Sequence, residues 1–418
     1  MKSLTKIVMS GLFYLSLPVS AWAWHESPVV CGHEMAIQDG NIYGNLHYGL
    51  HWFHDEITNQ GSISYCDADP QLYFDPSKKH TMIFVHGFSP YSVKNNTRFN
   101  FDANDLAGPN VTDLVAPWLN GTSGDHQPWN VGIFYWNQFA DEQPTSLDML
   151  HPVQTAEAKI WRTDGPGNMR WRDNQGGVHN YPRNVRQDMA HILANQYLDE
   201  LTEYARHNPT ADMRLVGESL GSQLVIHAAR IIADQVDAAG SHLPKNLIPK
   251  QVVVLDPIVT KDGNDETRLQ TLLQDIQYLK QDGVIFSGYR TSDIGLHDEF
   301  SDNTRLLKQM AFSEDKPAEC VYPGTANLKN QHTFAIWWYL LSYTLDRVPV
   351  SNAEQIYSAP FANMPDNDLK HFMDDQVKFV SNNAGFTPGQ GECKTDAESI
   401  GREWLHWTMK VVEKDAPR

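Results

Sequence analysis

The sequence is poor in cysteine and in positive charge, and each shortage narrows the classes of function. Only four cysteines occur among 418 residues, at Cys31, Cys66, Cys320 and Cys393, and none forms a C-x-x-C pair. This spacing excludes zinc-ribbon and thioredoxin-like sites. The chain has 33 Lys and Arg against 51 Asp and Glu, which gives a formal net charge of −18. Because this charge repels phosphates, we expect no nucleic-acid partner, whereas a transient contact with an uncharged lipid interface stays compatible with it.

Long apolar runs are also missing beyond the N-terminal segment, so no membrane-spanning helix is predicted there. Within residues 1–23, Lys2 and Lys6 precede an apolar stretch at 7–17, and small residues precede a cleavage site after Ala23. The apolar stretch is shorter than the ~20 residues that a membrane helix needs. These features predict a signal peptide at 1–23 and a mature protein that is secreted or periplasmic.

The predicted export favours an interpretation of the cysteines as disulfide-bonded. An even number of cysteines in an exported chain favours disulfide bonds, because the compartment is oxidising. Four cysteines can pair in three ways, and the pairing of Cys31 with Cys66 and of Cys320 with Cys393 joins those closest in sequence. We therefore expect this pairing ahead of the other two.

From about residue 80 onwards, short β-rich runs alternate with longer helical patterns. The predicted strands are apolar and short, at 81–85, 130–136, 213–216, 251–255 and 283–289. The predicted helices have apolar residues at three- and four-residue spacing, at 185–204, 219–236 and 332–345. This alternation predicts an α/β fold with a mostly parallel central sheet and helices on both faces.

Two long segments interrupt the alternation, at 89–128 and 140–182. Loops of this length are typical of lids, caps or locally ordered insertions, and both leave the carboxyl ends of predicted strands. We place the core domain at 80–349. Residues 24–79 are then an N-terminal extension, and 350–418 a C-terminal helical extension packed on the core, with an amphipathic helix at 400–412.

A G-x-S-x-G motif occupies Gly217 to Gly221, directly after one predicted strand and directly before a helix. A tight strand-to-helix turn would expose the hydroxyl of Ser219, and glycines on both sides make room for that turn. The helix N-terminus would direct the backbone N–H of Leu220 at an oxyanion. An ordinary glycine-flanked turn is the alternative interpretation, and the strand–turn–helix context argues against it.

A serine nucleophile also needs an oxyanion donor, a base and an acid. His86-Gly87-Phe88 follows the first strong strand, and the Phe88 N–H is a candidate donor. His332, downstream of both candidate acids, is the preferred base over His297. Asp256 and Asp293 each follow a strand, and the residues alone leave the choice of acid open.

Together, HGF at 86–88, GESLG at 217–221, VVVLDP at 252–257 and a histidine near the start of a C-terminal helix resemble the lipase branch of the α/β-hydrolase fold. The resemblance is to the pancreatic-lipase-like group and covers about residues 80–346. In that group the acid lies in a Leu-Asp-Pro context after the strand next to the nucleophile strand, which implies Asp256 over Asp293. Glu218 departs from the pattern, because that position is often histidine.

The resemblance implies a serine hydrolase that cleaves carboxylic esters, with lipid or acyl esters as substrates and no metal or organic cofactor. Seven aromatic residues in the insertions are candidates for lining an acyl site: Phe99, Phe101, Trp118, Trp129, Phe139, Trp161 and Trp171. Ordinary packing is the alternative for these residues. A serine peptidase or acyltransferase could use the same triad, and a non-catalytic binding protein could keep the fold.

Overall fold

The computed structural model describes the parts of the chain that build the sheet and its surroundings. These are residues 49–53, 74–95, 115–121, 127–143, 150–164, 169–173, 176–179, 187–261, 266–297, 300–314, 328–343, 356–357, 364–381 and 408–414. The signal peptide proposed at 1–23 and all four cysteines lie outside these ranges, so export and disulfide pairing stay predictions. Among the helices described, none combines the length and the apolarity needed to cross a bilayer.

The described elements alternate between strands and helices through most of the chain. The strands are β1 (Gly49–Phe53), β2 (His80–Val85), β3 (Trp129–Tyr135), β4 (Trp171–Arg172), β5 (Val178–His179), β6 (Asp212–Glu218), β7 (Gln251–Leu255), β8 (Ile285–Arg290), β9 (Ala311–Glu314), β10 (Ile356–Tyr357), β11 (Val377–Ser381) and β12 (Thr408–Glu413). The α-helices are α1 (Ala116–Asn120), α2 (Asn137–Ala140), α3 (Leu150–Trp161), α4 (Met189–His207), α5 (Leu220–Asp237), α6 (Thr267–Gln281), α7 (Thr304–Leu307), α8 (Leu328–Ser342) and α9 (Asp366–Asp374).

Ten of the described strands form one sheet, in the order β1-β3-β2-β6-β7-β8-β9-β11-β12-β10. The seven strands from β3 to β11 in this order are parallel to their neighbours. The edge strands β1, β12 and β10 pair antiparallel. A mostly parallel sheet with helices on both faces, in which β6 leads directly into α5, is the α/β-hydrolase fold, as the sequence predicted.

Burial explains why the central strands form from their sequences. All residues of β6 and β7 are buried, since helices cover both faces of a parallel sheet, and apolar residues accordingly fill most of β7 and the centre of β6. The five strands predicted from apolar runs are confirmed, with ends that differ by at most two residues. The central sheet could therefore be predicted from local apolar patterns.

The helix pattern predicted before β6 is confirmed as α4. Its N-terminus is capped by Asp188, whose carboxylate accepts a hydrogen bond of 2.9 Å from the His191 N–H. Such a cap stabilises a helix by about 1 kcal/mol. The predicted 332–345 helix is also present as α8, but it begins at Leu328, one turn earlier.

The sheet extends beyond the predicted core of 80–349 on both sides. β1 lies in the predicted N-terminal extension and pairs with β3, while β10, β11 and β12 lie in the predicted C-terminal extension. The helix predicted at 400–412 is wrong in its described part, because Thr408–Glu413 is a strand. The run TMKVV has β-branched residues at its end, and pairing with β11 satisfies its backbone, which a local pattern does not reveal.

The second insertion, at 140–182, contains ordered structure that its weak periodicity did not predict. It holds the 12-residue helix α3 and the hairpin of β4 and β5. Inside it, the ammonium group of Lys159 lies 2.6 Å from the Glu142 carboxylate and donates to the Phe139 carbonyl. Because the Lys159 side chain is buried, this pairing is what permits a charged residue on the helix face that meets the core.

Candidate active site

Ser219 lies at the turn between β6 and α5, in a backbone conformation that favours an exposed hydroxyl. Its φ of 56° and ψ of −122° lie in a region that L-residues rarely adopt. A Cβ on Gly217 would collide with the backbone of Gly221, and a Cβ on Gly221 would collide with the carbonyl of Val85. The flanking glycines are therefore required by close backbone approach, as the motif predicted.

The loop after β2 packs directly against this turn. A Cβ on Gly87 would collide with the Ser219 side chain and would lie 2.8 Å from Glu218 Oε2. This contact follows from the register of the sheet, in which Val85 of β2 pairs with Gly217 of β6. Parallel pairing of β2 and β6 thus brings His86-Gly87-Phe88 beside the serine, although more than 130 residues separate them.

His86 holds this loop in shape as a neutral ring. Its Nδ1 lies 2.9 Å from the Gly87 carbonyl, and its Nε2 accepts a hydrogen bond of 3.4 Å from the Trp136 N–H. Burial lowers the pKa of His86 to about 4, so the ring stays uncharged at neutral pH. Because the Gly87 carbonyl and the Phe88 N–H belong to one trans peptide, a fixed carbonyl also fixes the direction of that N–H.

The two candidate oxyanion donors therefore come from rigid segments. Phe88 is half-buried against the core at the start of the loop after β2. Leu220 is the first residue of α5, where helix N–H groups have no acceptor within the helix. Phe88 follows Gly87, which packs against Ser219, and Leu220 follows Ser219 itself. Both N–H groups therefore lie at the same end of the sheet as the serine hydroxyl.

Asp256 is the acid that contacts the candidate base. Its Oδ2 lies 2.6 Å from His332 Nδ1, and both side chains are buried. The same carboxylate accepts hydrogen bonds from the Thr291 N–H at 3.0 Å, from the Ser292 N–H at 3.2 Å and from the Ser292 hydroxyl. Four donors on one carboxylate fix its orientation.

The alternative acid and the alternative base lie elsewhere in the loop after β8. Asp293 precedes the short 3-10 helix Ile294–Leu296, and His297 follows it. Among the described residues, the carboxylates that contact His332 are those of Asp256 and Glu218. The sequence pattern predicted that His332 begins the helix. It lies instead in the second turn of α8, which begins at Leu328.

The backbone at Asp256 is strained like that at Ser219. Its φ of 44° is positive, a conformation that costs on the order of 1–3 kcal/mol for a residue other than glycine. The Asp256 N–H donates 2.7 Å to the Tyr289 carbonyl of β8, so the strand pairing continues into the turn. This geometry aims the side chain at the loop after β8 and at His332.

Glu218 brings a second carboxylate to the imidazole. Its Oε1 lies 3.2 Å from His332 Nε2, and its Oε2 accepts a hydrogen bond of 2.9 Å from the Gly87 N–H. Burial raises the pKa of Glu218, against the opposing effects of His332 and of the Gly87 hydrogen bond. Burial alone would lower the pKa of His332, but the hydrogen bond and charge of Asp256, with the charge of Glu218, hold it above its ordinary value.

Several supporting residues were not singled out by the sequence pattern. Thr291 and Ser292 directly precede Asp293 in the sequence. They donate hydrogen bonds to Asp256 and so hold the acid of the candidate site. Asp141 accepts hydrogen bonds from the Tyr91 and Val93 N–H groups and so ties the second insertion to the loop after β2. The only available signal was their position after strand ends, where parallel sheets carry their sites.

The aromatic residues proposed for an acyl site pack in the core where they are described. Trp118, Trp129 and Phe139 are buried, and Trp118 stacks on Tyr343 at 4.0 Å. Trp129 begins β3, at the amino end of the sheet, whereas Ser219 follows the carboxyl end of β6. Phe99 and Phe101 lie outside the described residues. For Trp118 and Trp129, packing is therefore the correct interpretation.

No family model and no curated protein matches the chain. Among solved structures, the chain is similar to the NocB thioesterase domain in a covalent complex with a fluorophosphonate nocardicin G analog, with 11% identity, 63% of this chain and 94% of that chain covered, and a TM-score of 0.24. A lipase-esterase related protein from Clostridium acetobutylicum ATCC 824 has 11% identity, coverage of 58% and 75%, and a TM-score of 0.20. RedJ with a PEG molecule bound in the active site has 14% identity, coverage of 55% and 75%, and a TM-score of 0.20. At these scores the fold assignment rests on strand order and pairing.

Proposed function

We propose that this protein is a serine hydrolase that cleaves carboxylic esters through an acyl-enzyme formed on Ser219. The observation that carries the proposal is the contact of Asp256 with His332 beside a serine in a strained, glycine-flanked turn. A buried carboxylate on Nδ1 leaves Nε2 as the nitrogen that can accept a proton. Strained turns and buried titratable groups concentrate at catalytic sites, since ordinary packing gives no reason to keep them.

In the acylation step, Ser219 Oγ attacks the ester carbonyl carbon while its proton moves to His332 Nε2. The carbonyl π bond breaks, and the oxyanion accepts hydrogen bonds from the Phe88 and Leu220 N–H groups. When the tetrahedral intermediate collapses, the bond to the alcohol oxygen breaks and Nε2 returns the proton to that oxygen. Water then repeats the sequence on the acyl-enzyme and releases the carboxylic acid.

We propose acyl or lipid esters as the substrate class, and two observations support this. The described large apolar side chains that are exposed are Tyr91, Val178 and Leu296, and each lies on a segment that leaves the carboxyl end of the sheet. Ser219 also follows the carboxyl end of a strand, so these side chains are candidates for contact with an apolar substrate. The predicted signal peptide supports a site of action outside the cytoplasm.

The proposal is tested by labelling the purified protein with a fluorophosphonate probe. We expect the wild type to be labelled at Ser219 and the Ser219→Ala variant to lose labelling and ester turnover by a factor on the order of 10⁴ or more, with an unchanged melting temperature. Turnover of p-nitrophenyl esters of graded chain length, compared with peptides, then identifies the substrate class.

Two outcomes would contradict the proposal in different ways. Peptide cleavage without ester turnover would show a peptidase that uses the same residues. A folded wild type that neither reacts with the probe nor turns over any ester would favour a non-catalytic binding protein.

A further inference from the structure

The Glu218 side chain contacts two parts of the candidate site, the imidazole of His332 and the loop after β2. One carboxylate oxygen faces Nε2 of His332 at 3.2 Å, and the other accepts the Gly87 N–H at 2.9 Å. The side chain is only 9% exposed, so bulk water screens neither contact strongly. The imidazole of His332 therefore lies between two carboxylates, with Asp256 on Nδ1 and Glu218 on Nε2.

We propose that Glu218 is a positioning residue that retains a proton on Nε2 of His332 in the resting site and anchors the Gly87 loop. The inference rests on the proposed function, because Nε2 is the nitrogen that must accept the proton of Ser219. While Nε2 carries a proton that the charge of Glu218 stabilises, it cannot take the proton of the serine. Loss of that proton to solvent leaves an imidazole with a free lone pair and switches the site on.

The surroundings of His332 identify Glu218 as the group with this effect. The charged groups that face His332 among the described residues are Asp256, from the turn after β7, and Glu218, from the end of β6. The loop after β8 contributes Thr291 and Ser292, which are uncharged and hold Asp256 or α8. The loop after β2 contributes the Gly87 N–H to Glu218.

The two functions of Glu218 can be separated by substitution. Glu218→Gln removes the charge but keeps an oxygen that can accept the Gly87 N–H, whereas Glu218→Ala removes both. A nearby opposite charge typically shifts a pKa by about 1–3 units. We expect Glu218→Gln to lower the pKa of His332 by about one unit, measured by NMR titration of the ¹⁵N-labelled imidazole in the full-length protein.

The same change should make the pH profiles of probe labelling cross. On the acid side, Glu218→Gln should react about threefold faster than the wild type, because more of its His332 is unprotonated. On the alkaline plateau it should react about threefold more slowly, because a less basic imidazole is a weaker proton acceptor. A purely structural role would slow labelling at every pH, so crossing profiles are specific to the charge.

Glu218→Ala should share the shift of the Gln variant and lose a further factor of about ten on the plateau, since the buried Gly87 N–H is left without its acceptor. Asp275→Asn is the matched control, because Asp275 on α6 contacts His227 on α5 at 2.9 Å. It removes a carboxylate from a histidine and should leave the titration of His332 unchanged.

The result that overturns the inference is a His332 pKa in Glu218→Gln that agrees with the wild type within about 0.3 units, in a variant that melts like the wild type. If Glu218→Gln does not fold, the ¹⁵N titration of Glu218→Ala decides in its place, and a His332 pKa that agrees with the wild type within about 0.3 units overturns the inference. The titration reports on His332 even in a protein that no probe labels, so failure of the proposed function is recorded separately.

Discussion

Opposite ends of the central sheet each hold a histidine–aspartate pair, which is buried at the carboxyl end and partly exposed at the amino end. The two pairs also differ in what surrounds them. At the carboxyl end, Asp256 contacts His332 at 2.6 Å beside Ser219. At the amino end, Asp212 contacts His80 at 3.2 Å where β6 and β2 begin. β6 has seven residues and joins the two ends over about 20 Å.

The amino end is built as a closed structural cluster. The Arg214 guanidinium lies 4.5 Å from the centre of the Trp129 ring and donates 2.9 Å to the Tyr339 hydroxyl. Burial alone would raise the pKa of Asp212, but the His80 hydrogen bond and the charges of Arg214 and Lys250 hold it below its ordinary value. The Asp212 carboxylate lies among cations and aromatic rings here, and none of the residues named in this cluster has a positive φ.

The carboxyl end differs in backbone strain and in the balance of charge. Ser219 and Asp256 both have positive φ values, of 56° and 44°. Two carboxylates, of Asp256 and Glu218, face one imidazole, so the group of three carries an excess of negative charge. Burial of a charged pair is therefore a poor indicator of function in this protein, whereas strain and an unbalanced pair next to a nucleophile are better ones.

The largest effect that separates the two ends should come from the acid of the triad. Asp256→Asn should lower kcat for a p-nitrophenyl ester by a factor of about 10⁴, because the amide no longer holds His332 in the required tautomer. Asp293→Asn is the matched control and should stay within about twofold of the wild type, since it has no contact with His332. The reverse pattern would assign the acid to Asp293.

At the amino end, we expect a loss of stability without a loss of reactivity. Arg214→Ala should lower the free energy of unfolding by about 3 kcal/mol, because it leaves buried polar partners and a cavity. Urea denaturation measures the loss, and probe labelling per folded molecule should be unchanged. Arg206→Ala, on the exposed end of α4, should cost about 0.5 kcal/mol or less. A large drop in labelling of folded Arg214→Ala would mean that the ends are coupled.

A smaller effect is expected from the residue that shapes the oxyanion loop. His86→Gln should lower kcat about tenfold with little change in KM, because the Gly87–Phe88 peptide loses the hydrogen bond that fixes it. His227→Gln, a histidine substitution on α5 away from the site, is the control for general effects on folding. A change in KM with constant kcat would instead indicate that His86 affects substrate binding.

The smallest effects concern acid, to which the two ends should respond in different ways. Labelling of Ser219 should fall as pH decreases, with a midpoint above 6.5, because the raised pKa of His332 keeps its proton to a higher pH. Asp212 has a lowered pKa, so its stabilising contribution is present above 3.8 and is lost as pH falls through its folded value.

Asp212→Asn should therefore reduce the fall in melting temperature as the pH decreases. The pH dependence of Ser219 labelling should not change. Melting temperatures from pH 2 to pH 6 measure the first effect, and labelling rates measure the second. A shift of the labelling midpoint in Asp212→Asn would show that the charge at the amino end acts on the site.

The residues differ in how far their positions could be predicted. The position of Ser219 could be predicted from the sequence, because the turn that displays it is made by its near neighbours, Gly217 and Gly221. Asp256 and Asp293 each end a strand in a polar loop, so the local sequence does not separate them. The choice depends on the positive φ at Asp256 and on the donors of Thr291 and Ser292, which lie in the loop after the neighbouring strand β8.

The sequence by itself determined the five strands β2, β3, β6, β7 and β8, the helices α4, α5 and α8, the place of the turn at Ser219 and the fold class, because apolar periodicity and glycine sterics act over a few residues. The tertiary structure alone decided that residues 408–413 pair as a strand, that Trp118 and Trp129 pack at the far end of the sheet, and that Asp256 and Glu218 meet His332. These outcomes depend on contacts between residues far apart in the chain, and the parallel register of the sheet sets which of them meet.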